Sequence, residues 1–128
     1  MKAYLAIKFK EDNSNRETIE SISSVLGRLG METVSMARDY EKWGEVVFTP
    51  DELMEKTFKE IDLSDLLIIE FSEKGVGLGI EAGYAYAKQK PIIVIAKEGS
   101  DISSTLKGVA KDVIFYNDPE ELIGKIKT

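Results

Sequence analysis

The chain contains no cysteine and no histidine. The first absence excludes a disulfide framework, a zinc–thiolate site and a thiol nucleophile. The second excludes Ser-His and Cys-His catalysis and any imidazole metal ligand. Chemistry is left to carboxylates, lysine, tyrosine and serine, and the sequence shows no cluster of metal ligands. No apolar run approaches the roughly 20 residues needed to span a bilayer. The opening Met1-Lys2-Ala3-Tyr4 enters a strand pattern without a signal-peptide layout. The expectation is a soluble cytoplasmic protein with no membrane partner. Positive charge is in deficit: 17 Lys and Arg face 23 Asp and Glu, for a net charge of −6. That balance argues against general affinity for nucleic acid.

What remains is a 128-residue chain with an ordinary apolar share of 43%. It reads as one domain, residues 1–128, with no repeat, linker or low-complexity tract. Apolar runs alternate with helical patterns, the signature of βαβ units. Strands are expected at Ala3–Ile7, Thr33–Met36, Asp65–Phe71, Pro91–Ala96 and Val113–Tyr116. A helix is expected over Arg16–Leu29, with Ile19, Ile22, Val25, Leu26 and Leu29 at helical spacing and Gly30 as its stop. Thr49-Pro50-Asp51-Glu52 opens a second helix through a capping box with proline at the first helical position. A third helix ends near Lys90-Pro91, and a last one runs over Pro119–Lys127 behind Asp118 as cap. Gly99–Lys107 reads as a loop or short turn. The fold class is α/β: a flavodoxin-like or Rossmann-like three-layer sandwich around a five-stranded parallel sheet of order 2-1-3-4-5.

The stretch that carries most chemical information runs from Gly75 to Ala85, Gly-Val-Gly-Leu-Gly-Ile-Glu-Ala-Gly-Tyr-Ala. It holds four of the ten glycines and one carboxylate, Glu81. It follows a buried strand and precedes a helical pattern, which is where an open α/β sheet places its ligand. Glycines at 75, 77 and 79 let a ligand approach the backbone closely. Glu81 is expected in the first helical turn, where the helix dipole favours the ionised carboxylate by roughly 0.3–1 kcal/mol. An ionised, partly enclosed carboxylate suits a nucleophile. The spacing is not that of a dinucleotide-binding fingerprint, and no acidic residue ends the second strand.

With Lys90-Pro91-Ile92-Ile93 behind it, this stretch resembles the pattern of the nucleoside 2-deoxyribosyltransferase family. That family includes the 2'-deoxynucleoside 5'-monophosphate N-glycosidases. The order of elements agrees over most of the chain. The resemblance implies an enzyme that cleaves or exchanges the N-glycosidic bond of 2'-deoxynucleosides or their 5'-monophosphates. Glu81 would attack the anomeric carbon, and a second base or water would resolve the glycosyl-enzyme, as in a retaining glycosidase. Tyr4 matches a family tyrosine that hydrogen-bonds the glutamate, and a core aromatic on a strand is the plainer reading. Lys8 and Lys10 lie where relatives bind a 5'-phosphate, and as cations they suit that anion; solvated surface lysines are the alternative. Ser103 matches a position that reaches the 5' end from a neighbouring subunit, which implies at least a homodimer; a capping serine is the alternative. No cofactor is implied, and the expected partner is a small nucleoside or nucleotide.

Three positions depart from the family pattern. Thr57 stands where an aspartate is usual, Gly75 where an acid or serine is usual, and Ile7 where the first strand carries glycine. Trp43 and Tyr40, in the irregular segment before the second helix, either stack on a base or cover the core edge. Glu11, Asp12 and Asp39 are candidates for protonating the leaving base. The alternative function is a non-catalytic nucleotide-binding module on the same fold. A flavin or signalling domain is disfavoured, because no acidic phosphoacceptor is read at the ends of the first or third strand.

Overall fold

The computed structural model describes residues 1–127, and a five-stranded parallel sheet forms its centre. The strands are β1 (Lys2–Ile7), β2 (Glu32–Val34), β3 (Leu66–Glu70), β4 (Ile92–Lys97) and β5 (Asp112–Tyr116). Their order is β2-β1-β3-β4-β5, as the alternating pattern implies. Helix α1 (Arg16–Arg28) follows β1, α2 (Pro50–Asp62) precedes β3, and α3 (Val76–Ala87) joins β3 to β4. Two short helices, α4 (Ser104–Val109) and α5 (Leu122–Lys125), flank β5.

Side chains alternate across each strand, so one strand feeds two cores. Tyr4, Ala6, Leu67, Ile69, Val94 and Ala96 point to the face covered by α2, α3 and α4. Ala3, Leu5, Leu66, Ile68, Ile93 and Ile95 point to the face covered by α1 and α5. The near-continuous apolar character of β3 and β4 is that of strands buried on both sides. The capping box of α2 forms as expected. The Glu52 N–H donates to the Thr49 Oγ1 at 3.4 Å, and the Thr49 N–H donates to the Glu52 Oε1 at 3.0 Å.

Several boundaries differ from the expectation, each for a local reason. β2 stops at Val34, because Met36–Tyr40 wind into a π-helical turn behind the extended Ser35, whose N–H donates to the Asp39 carboxylate at 2.9 Å. The segment expected as a loop before β5 contains α4, capped by the Ser103 hydroxyl, which accepts from the Leu106 N–H at 3.2 Å. The last helix is broken: Pro119–Glu121 is a tighter 3₁₀ turn, and α5 spans only Leu122–Lys125.

An acidic residue does end the third strand. Glu70 is buried, and its carboxylate accepts from the Ser72 N–H at 2.7 Å, the Ser72 hydroxyl at 2.7 Å and the Tyr116 hydroxyl. Those bonds tie it to the turn after β3 and to β5. A carboxylate so fully satisfied is a structural clasp.

Candidate active site

Parallel strands β1 and β3 pair from Ala3 with Leu66 to Ile7 with Glu70. The chain leaves β1 toward β2 on one side and resumes at β3 on the other. This is the switch point of the sheet, where crevices open at the carboxyl ends of strands. A cavity of about 620 Å³ lies there, lined among others by Tyr4, Lys8, Lys10, Thr57, Gly75, Gly77 and Glu81. That volume is in the range of small-molecule sites.

The helix α3 starts earlier than the glycine pattern implies. Gly75 is its cap in extended backbone, and Val76 is its first residue. Gly77 and Gly79 are therefore helical rather than part of a bend. A side chain at Gly75 would meet the Lys8 Cγ at 3.6 Å, whereas one at Gly77 would meet nothing within 4 Å. Gly77 keeps the cavity wall bare. Gly79 faces open space and is not on that wall.

Counted from Val76, Glu81 is the sixth helical residue, in the second turn rather than the first. The dipole effect fades beyond the first turn, so it does not set the state of this group. Burial does. It pushes the Glu81 carboxyl up to about 8, against the opposing influence of the Tyr4 hydroxyl beside it. That shift corresponds to about 5 kcal/mol, several times what a helix end supplies. Among the described residues, Glu81 Oε2 is the one buried side-chain polar atom without a hydrogen-bond partner. A stranded carboxylate oxygen in a cavity is costly for folding alone, and such costs cluster at sites of chemistry.

Tyr4 is almost wholly buried, facing α3 from β1. Its phenol is held well above the ordinary tyrosine range, first by burial and then by the charge of Glu81; contact with the Thr57 side chain works the other way. Thr57 itself is buried, and its hydroxyl donates to the Leu53 carbonyl at 2.8 Å. Where the resemblance implies an aspartate, the cavity has a neutral group turned toward its own helix.

Lys8 and Lys10 lie at the carboxyl end of β1. Asn15 fixes their loop by donating to the Lys8 carbonyl at 2.8 Å. Both ammonium groups approach one carboxylate, Glu73: Lys10 Nζ at 2.5 Å and Lys8 Nζ at 4.0 Å. The pair of cations is occupied by an internal anion next to the N-terminus of α3. A smaller cavity of about 280 Å³ adjoins them, with Thr18, Ser72 and Lys97 on its wall.

Trp43 and Ser103 lie elsewhere. Trp43 packs against the α1 side of the sheet, and the Arg16 guanidinium stacks over its ring at 4.7 Å. The indole is thereby committed to a cation–π contact rather than left open for a base. Ser103 is the α4 cap, off the cavity wall within this chain. Tyr40 bonds the buried Glu60 near the start of β1. The apolar wall that the sequence did not single out comes from Phe48, Val46, Val47 and Met54. Glu41 joins them. Only the position of Phe48 directly before the α2 cap hints at it in the sequence.

The chain as a whole is similar to known proteins. No family model matches the chain. A protein of Thermofilum pendens with the provisional name 2'-deoxynucleoside 5'-phosphate N-hydrolase 1 is 26% identical over 136 residues, spanning 98% of this chain and 92% of the relative. Among solved structures, a CMP N-glycosidase of Clostridium botulinum is 24% identical with a TM-score of 0.70, covering 98% of this chain and 96% of its own. A 2-deoxyribosyltransferase of Bacillus psychrosaccharolyticus is 16% identical with a TM-score of 0.74, covering 96% and 90%. The chain has the flavodoxin-like fold of the deoxyribosyltransferases. The likeness along its whole length bears out the resemblance drawn from the glycine-rich stretch.

Proposed function

We propose that the chain is an enzyme that breaks the N-glycosidic bond of 2'-deoxynucleosides or their 5'-monophosphates through a covalent glycosyl ester on Glu81. The observation that carries this reading is the Glu81 carboxyl, set in the cavity wall with its Oε2 atom buried and unpartnered. In the proposed reaction Glu81 Oε2 attacks the anomeric carbon and the base departs. Water, or a second base, then takes the sugar. A 2'-deoxy sugar favours this route, because its oxocarbenium-like transition state is less destabilised. The cation growing at the anomeric carbon favours the ionised Glu81, and so opposes the burial that keeps it protonated at rest. Tyr4 orients the carboxyl. The apolar wall of Phe48, Val46, Val47 and Met54 suits the base. The enzyme works in the cytoplasm as a homodimer in which Ser103 reaches a neighbour's site.

Lys8 and Lys10, with Gly75 and Gly77 beside them, are assigned to the 5'-phosphate. Glu73 occupies these cations in the free protein, so a phosphate must displace it. Lys10→Met is therefore expected to raise the KM for a deoxynucleoside monophosphate by about tenfold, the scale of one charge-assisted hydrogen bond. Glu73→Gln is expected to lower it. Neither change should move the KM for the corresponding deoxynucleoside, and steady-state kinetics on the two substrate series checks this.

The reading is tested by chromatography for free base. The protein is incubated with deoxynucleosides and their monophosphates, with and without a second base. Base release establishes glycosidic cleavage, and its dependence on the second base separates transfer from hydrolysis. Nucleotide binding without any release would favour a non-catalytic binding module, the reading that Thr57 in place of an acid would support.

A further inference from the structure

A base leaving a deoxyribose carries away an electron pair and departs faster when a proton reaches it. Glu81 cannot supply that proton while it attacks. Thr57 offers only a hydroxyl already donated to the Leu53 carbonyl. The acids nearest in sequence are otherwise engaged. Asp39 is paired with Arg38 at 2.9 Å and accepts from the Ser35 N–H. Asp12 accepts from the Ser14 N–H and is not on the cavity wall. Glu11 is on the wall but exposed to water.

Glu41 differs from all of these. It lines the cavity and is half-buried. Its carboxyl takes part in no hydrogen bond or ion pair among the described residues. Its backbone, by contrast, is pinned on three sides. The Glu41 N–H donates to the Met36 carbonyl at 2.9 Å, and the Glu41 carbonyl accepts from the Gly44 N–H at 2.9 Å and the Val46 N–H at 3.0 Å. A fixed backbone holds the residue at the cavity, and a carboxyl committed to no other group is available to a bound substrate.

Resting on the reading above, we infer that Glu41 is the general acid that protonates the departing base and the general base that then activates water. The cycle starts from the ionised form of Glu81, its resting proton having passed to solvent: in the first step a C1'–O bond forms to the Glu81 carboxylate as the C1'–N bond breaks. The electron pair goes to the base and the Glu41 proton follows it. In the second step water attacks C1', its proton goes to Glu41, and the ester oxygen returns to Glu81 as carboxylate. Atoms and charge balance with no other reactant. Burial raises the Glu41 carboxyl above its ordinary range, which helps it keep a proton to give. The charges of both Glu41 and Glu81 act on the Tyr4 phenol and raise it. Tyr4, Glu41 and Glu81 all line the same cavity.

The test compares two leaving groups in wild type, Glu41→Gln and Glu41→Asp. One substrate is a natural deoxynucleoside monophosphate. The other is the 4-nitrophenyl 2-deoxyribofuranoside 5-phosphate, whose phenolate leaves without a proton. In Glu41→Gln, base release is expected to fall by about a hundredfold or more. Formation of the ester from the nitrophenyl substrate, read as the first burst of nitrophenolate, should stay within about threefold. Glu41→Asp should restore part of the base release. An equal loss on both substrates would assign Glu41 a structural role and overturn the inference, as would unchanged base release. No base release by the wild type would overturn the underlying reading, and this inference with it. Release by the wild type that Glu41→Gln leaves intact would overturn the inference alone.

Discussion

Glu81→Gln is expected to lower base release by about a thousandfold or more, and to do so without unfolding the protein. The amide keeps the shape of the side chain and removes the nucleophile, so the loss belongs to kcat rather than to substrate binding. Glutamine also cannot ionise, so at neutral pH it carries none of the cost that burial imposes on the Glu81 carboxyl. The variant should therefore be at least as stable as the wild type, which separates lost chemistry from a lost fold. Equilibrium binding of a monophosphate to the variant provides the control: affinity should persist while release vanishes.

The second large effect is on stability as a function of pH. Burial raises the folded-state value of Glu81 from 4.5 to about 8. Below 4.5 both folded and unfolded chains carry the proton, and the neutral carboxyl is tolerated in full. Between 4.5 and 8 the unfolded chain ionises while the folded one holds its proton. Stability then falls with rising pH, at close to 1.4 kcal/mol per unit. Above 8 both forms are ionised and the loss levels off. The whole loss is about 5 kcal/mol, a large part of an ordinary domain's stability. The chain has no histidine or cysteine to titrate in the upper part of this window. Urea unfolding at a series of pH values between 5 and 9 should show the decline in wild type and a much flatter profile in Glu81→Gln. A rise across the same range would contradict the assignment of burial as the dominant influence.

The sheet was legible in the sequence because its signals are local and redundant. Leu66 through Ile69 and Ile92 through Ala96 are short apolar runs between polar turns, and strands buried on both faces look that way. Thr49-Pro50-Asp51-Glu52 announces its helix by capping chemistry alone. The proposed nucleophile stands out in the sequence for a different reason: Glu81 is the only charged residue of α3, set among glycines, alanines and tyrosines. Its state does not. Placing the helix start a turn too late suggested a dipole-stabilised anion, whereas the true start at Val76 leaves burial in control. The far wall of the cavity was hidden as well. Residues 36–48 show no periodicity, and a π-helical turn followed by a positive φ at Lys42 and Trp43 decides which side chains turn inward. The aromatic face of Trp43 suits either a base or the core edge. The Arg16 contact holds that ring outside the cavity, and Glu41 and Phe48 face it instead.

Peptide mass spectrometry of protein acid-quenched during turnover tests the proposed glycosyl ester on Glu81 most directly. A deoxyribosyl or deoxyribosyl phosphate increment is expected on the peptide that contains Glu81, and none in Glu81→Gln. The same increment on another peptide, or base release undiminished in Glu81→Gln, would contradict it.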